Sequence, residues 1–119
     1  MKALTLTLAA AALTACASAP TKPANDFPTQ ERVLYVQECM RENGGPAFEM
    51  ISKCSCALDA LAAEVKFDEF MEMNTISKAI SIGGERGSEM RDNETLKPAL
   101  ARYRELQAKV KKGCFIAPR

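Results

Sequence analysis

The chain has 119 residues, room for one domain, and its 16 basic and 15 acidic side chains leave a net charge of +1. Nothing in that balance advertises nucleic acid or an anionic membrane surface as a partner. The chain has no histidine and no tryptophan, which excludes Ser-His or Cys-His nucleophiles, histidine general bases and imidazole metal ligands within it; no enzymatic activity, cofactor or metal site is expected.

Met1 and Lys2 are followed by an uncharged apolar run from Ala3 to Leu13. It is too short for a bilayer span, which needs roughly 20 residues, and has the form of an export signal. The run ends in Leu13-Thr14-Ala15-Cys16, which resembles the lipobox of bacterial lipoproteins, where a cysteine after a small residue receives diacylglycerol and becomes the first mature residue. The resemblance implies a signal peptide over residues 1–15 and lipidation of Cys16. An ordinary cleavage after Ala17-Ser18-Ala19 is the rival reading and gives a soluble periplasmic protein, but it puts Pro20, which peptidases tolerate poorly, at the first mature position.

Residues 16–27 carry Pro20, Lys22, Pro23 and Asn25 with almost no large apolar side chain. They are predicted to be a flexible tether ahead of a domain over residues 28–119. Ala17 rather than Asp after Cys16 matches the usual sorting of lipoproteins to the outer membrane. The expected location is its periplasmic face, with membrane contact through the lipid anchor alone.

The domain reads as four helices. Thr29 is a predicted cap for a helix over Gln30 to Glu42, with Val33, Val36, Cys39 and Met40 at helical spacing, stopped by Asn43-Gly44-Gly45-Pro46. A second runs from Ala47 to about Val65 with Met50, Ile51, Cys54, Leu58, Leu61 and Val65 along one stripe. Asp68 is the predicted cap of a third, which carries Phe70, Met73, Ile76 and Ile80. Gly83 to Asn93 is expected to be irregular. A fourth helix begins near Thr95, tolerates Pro98 in its first turn, and places Leu96, Leu100, Tyr103, Leu106 and Val110 on one face before Gly113 closes it. No segment alternates with a period of two. The predicted fold is all-α, a small irregular four-helix domain stapled by two disulfides.

The staples are Cys39, Cys54, Cys56 and Cys114, an even set in a small exported chain. Cysteines two apart on a helix point about 200° apart, so Cys54 and Cys56 are expected to meet different neighbours. An antiparallel hairpin of the first two helices favours Cys39 with Cys54, leaving Cys56 for Cys114; the swapped pattern, Cys39 with Cys56 and Cys54 with Cys114, is the alternative. The chemical alternative is a Cys54/Cys56 thiol pair for redox exchange or Cu(I), aided by Met71 and Met73, although helix geometry disfavours presenting both sulfurs to one ion.

The candidate binding segment is Gly83-Gly84-Glu85-Arg86-Gly87-Ser88 with Arg91-Asp92. Its glycines expose backbone amides, and Arg86 and Arg91, with Asp92 beside them, offer charge-assisted contacts to a ligand or partner. Asp59, among small residues, is a candidate ion-pair partner for one of these arginines.

Tyr35-Val36, Cys39, Asn43-Gly44-Gly45, Cys54-Ser55-Cys56, Asp59, Gly84-Glu85-Arg86-Gly87, Arg91-Asp92 and Cys114-Phe115 together resemble a group of small exported proteobacterial proteins without assigned activity, associated with periplasmic quinoprotein alcohol dehydrogenase systems. The resemblance implies a secreted helical domain with four cysteines and at most an accessory place beside such enzymes. The expected function is that of a non-enzymatic envelope lipoprotein that binds a periplasmic protein or a small ligand, the thiol or Cu(I) reading being the alternative.

Overall fold

The apolar stripes fold as helices. A computed structural model describes residues 25–118, in which α1 spans Thr29–Asn43, α2 Ala47–Glu64, α3 Phe67–Ile80, α4 Gly84–Asp92 and α5 Lys97–Gly113, with a 3-10 turn at Glu94–Leu96 before α5. No strand occurs among the described residues. Residues 1–15, expected to be a signal peptide, and Cys16, the expected lipidation site, lie outside them.

α2 is the spine. Its stripe of Met50, Cys54, Ala57, Leu58 and Leu61 is buried, with Cys54, Ala57 and Leu61 wholly so, and each large apolar side chain buried there contributes roughly 1.5–3 kcal/mol. α1 and α5 both pack on α2, and α3 packs on α5. The bridges are Cys39–Cys54, with Cα atoms 5.9 Å apart, and Cys56–Cys114, at 5.8 Å. The first of the two expected pairings is therefore the one formed. Because Cys54 and Cys56 leave α2 on different sides, they fasten α1 and α5 to different faces of it. Surface ion pairs repeat the arrangement, Arg32–Asp59 at 3.3 Å from α1 and Lys109–Glu64 at 2.6 Å from α5.

The ends of the helices depart from expectation in instructive ways. Pro28, not Thr29, occupies the cap position of α1, and no side chain caps it. The first turn of α3 is capped from a distance, because the Phe67 amide donates to Asp26 Oδ2 at 3.0 Å, while Asp68 lies within the helix. Phe27 is 5% exposed and its ring lies 5.3 Å from those of Phe67 and Phe70. Asp26 and Phe27, inside the segment expected to be tether, thus belong to the packed domain. Gly44 and Gly45, at φ 63° and 109°, supply the left-handed backbone that turns α1 into α2.

The stretch expected to be irregular, Gly83 to Asn93, is mostly helical. α4 has little apolar character, and what holds it is tertiary: Gly87 is buried against the end of α3, where an added Cβ would stand 1.7 Å from the Ile82 carbonyl oxygen. α5 closes on a Schellman motif, with the Ile116 amide donating to the Lys111 carbonyl at 2.9 Å and the Phe115 amide to that of Lys112 at 3.3 Å. Its left-handed residue is Phe115 at φ 59°, not Gly113, which is the last helical residue. The motif tucks Ile116 into the core and leaves Phe115 83% exposed.

Candidate functional site

Fastening α1 and α5 to different faces of α2 leaves a space between them. α1 reaches toward α3 and α5 with long side chains, and the result is an open cleft of about 1010 Å³. Phe70 lies in it between two tyrosines, its ring centre 6.1 Å from that of Tyr35 and 6.2 Å from that of Tyr103. Leu34, Ala108 and Ile116 extend the apolar lining. Volume and lining are those of a site for a small organic molecule or a short chain segment.

Polar groups in the cleft are positioned by the aromatic ones. Tyr35 donates its hydroxyl to Gln107 Oε1 at 3.1 Å, and Tyr103 donates to Asn74 Oδ1 at 3.0 Å. Each amide oxygen is thereby occupied and each amide NH2 keeps its donors for an occupant. Burial is the main cause that raises both phenols; Tyr103 is pushed up to about 12, with Glu38 and Glu42 adding to the effect, and Tyr35 is raised further, with the neighbouring Tyr103 as its next cause. Both hydroxyls are therefore neutral donors at any physiological pH.

The walls carry opposite charge. α1 contributes Glu31, Glu38 and Glu42, whereas α3 and α5 contribute Lys78, Arg104, Lys111 and Lys112. Two exposed pairs cross the gap, Lys78–Glu38 at 3.3 Å and Lys111–Glu42 at 3.5 Å. Such pairs contribute about 0–1 kcal/mol each, so an occupant displaces them at little cost.

The residues singled out in the sequence do not assemble into this site. Arg91 is held by the backbone, its Nη1 donating to the carbonyls of Ile80 at 3.0 Å and Ile82 at 3.1 Å. It caps α3 across the close approach that Gly87 permits, which gives the Gly87 and Arg91 pattern a structural task. Arg86 and Asp92 are exposed on α4, away from the cleft lining. Asp59 is exposed and pairs with Arg32, not with Arg86 or Arg91. Cys54 and Cys56 are each committed to a bridge, so neither is a free thiol or thiolate ligand in this state. What sequence reasoning missed is the quartet Tyr35, Asn74, Tyr103 and Gln107. The available signal was amide and phenol side chains lying on or beside helical stripes that otherwise read as core.

Comparison with protein-family models, with curated proteins and with solved structures finds no match to this chain.

Proposed function

We propose that the protein is a non-enzymatic binding protein of the cell envelope, exported and anchored through lipid on Cys16. Its cleft between α1, α3 and α5 holds part of a periplasmic partner or a small ligand. The observation that carries the reading is the cleft itself: two disulfides fix its walls to α2, and amide and guanidinium donors surround an aromatic centre. A site held open before binding loses less ordering entropy when it is filled. The bridges also fit an oxidising compartment.

The test is site-specific photo-crosslinking in intact cells, with benzoylphenylalanine at Ala108 in the cleft or at Ala63, which is exposed on α2. A defined adduct at residue 108 and none at 63 is expected. Equal labelling at both positions, or adducts from 63 alone, overturns the cleft. The anchor is tested separately: Cys16→Ser should move the protein from membranes to the soluble periplasm, and a wild-type protein already soluble and starting at Pro20 refutes lipidation while leaving the cleft untouched.

A further inference from the structure

A second groove, of about 650 Å³, lies between α3, α4 and α5, with Ile80, Met90, Leu96 and Leu100 as its apolar lining. It is continuous with the cleft, since Ser77, Ser81 and Arg104 line both. The charged residues of this second groove are Arg91, Lys97 and Arg104, all basic. Arg91 is occupied by the Ile80 and Ile82 carbonyls, and Lys97 pairs with Glu94. Arg104, at the junction, is exposed and enters no ion pair among the described residues. A guanidinium with its donors unused, beside the Ser77 hydroxyl and between two apolar grooves, is complementary to a carboxylate with an apolar group on either side.

Spacing sets the kind of molecule. Leu100 in the second groove and Ala108 in the cleft are eight positions apart on α5, about 12 Å at roughly 1.5 Å per residue, which an extended chain covers in about four steps of roughly 3.3 Å, from the first to the fifth residue of a segment. Resting on the reading of the cleft as a binding site, we infer that the two grooves together take an extended peptide segment of a partner protein. The segment has an acidic residue between two apolar ones, one apolar side chain lying against Phe70 and Tyr103, the carboxylate on Arg104, and the other apolar side chain against Met90 and Leu100. The donor NH2 groups of Asn74 and Gln107 suit the carbonyls of such a backbone.

The experiment uses the full exported, oxidised protein and a library of acetylated, amidated pentapeptides with apolar residues at the first and fifth positions and every residue at the third. Selection of Asp and Glu over Asn, Gln and Lys at the third position is expected at roughly tenfold, the scale of one charge-assisted hydrogen bond. Arg104→Gln should erase that preference and Arg104→Glu should turn it toward Lys and Arg, with melting unchanged because Arg104 is exposed and unpaired. Met90→Ser should relax selection at one apolar end only. The inference is overturned if no pentapeptide binds, if the third position shows no selection, or if selection survives Arg104→Gln. Binding that is lost in Ala108→Arg yet indifferent to Arg104→Gln and Met90→Ser overturns the two-groove peptide and keeps the cleft. Indifference to Ala108→Arg removes the cleft itself.

Discussion

Gly87→Ala tests how the corner between α3 and α4 is built. A Cβ at this position would stand 1.7 Å from the Ile82 carbonyl oxygen, 2.7 Å from its carbon and 2.8 Å from Arg91 Nη1. A backbone carbonyl has no rotamer to escape into, so α4 must retreat from α3 by more than an ångström. Overpacking of this kind costs about 1–3 kcal/mol, and the retreat also loosens the two hydrogen bonds from Arg91, adding about 1 kcal/mol at an exposed site. The better helix propensity of alanine offsets about 1 kcal/mol. The net loss is about 2 kcal/mol, or a melting temperature lower by about 10 °C for a domain of this size. Because α4 packs mainly on α3 and the turn before α5, amide exchange in α4 accelerates first. Circular dichroism melts with the disulfides intact provide the measurement, and Gly83→Ala and Gly113→Ala are the controls. Neither control position has an atom within 4 Å of the new Cβ or a left-handed backbone, so alanine there is neutral or stabilising by about 0.4–1 kcal/mol. A Gly87→Ala protein that melts with wild type refutes the close-approach argument.

Three further outcomes follow from features away from that corner. Phe115→Gly should raise stability by about 1 kcal/mol in denaturant titration, because it relieves a left-handed phenylalanine that is 83% exposed; a loss of stability would mean that its ring packs on something that matters. Tyr35 and Tyr103 are the only tyrosines of the chain and both are raised from 10.0, Tyr103 to about 12. The stability gained by keeping them neutral is complete below the unfolded value and is lost as pH climbs through that window. Phenolate absorbance should therefore rise together with unfolding, and independent titration near 10 with helicity intact would contradict the burial. Finally, loop-closure entropy for separations of 15 and 58 residues is worth about 3 and 4 kcal/mol, comparable to the whole net stability of a small domain. Reduction should unfold the protein, and amide spectra that stay dispersed in excess reductant would show that the core suffices without its bridges.

Much of the architecture is written locally. The stripes that end at the Gly44-Gly45 turn, the Cys54-Ser55-Cys56 spacing and Pro98 in a first turn each act through a few neighbouring residues, and these yielded the all-α class and the bridges. What escaped depends on contacts made after folding. α4 is polar and glycine-rich by any local measure, and it is a helix because Gly87 and Arg91 dock it on the end of α3. The cap of α3 comes from Asp26, 41 positions away. The cleft escaped for the same reason, since it exists only because two bridges pull α1 and α5 to different faces of α2. Tyr35 and Gln107, 72 positions apart, carry no mutual signal in a single sequence.

If the chain is exported as proposed, the order of the bridges bears on how it is oxidised on emerging from a translocation pore. Cys39 joins the next cysteine in the described domain, Cys54, and Cys56 joins the next after that, Cys114. An oxidant that links thiols in order of arrival therefore makes both native bonds without reshuffling. A free thiol at Cys16 would arrive before all of them and shift that sequence by one, coupling Cys16 to Cys39 and leaving Cys54 beside Cys56, a pair that a helix cannot bring together. A thioether at Cys16, as proposed for the anchor, would remove the extra thiol from the count. The lipid would then serve bond formation as well as attachment, by leaving an even number of thiols in the right order.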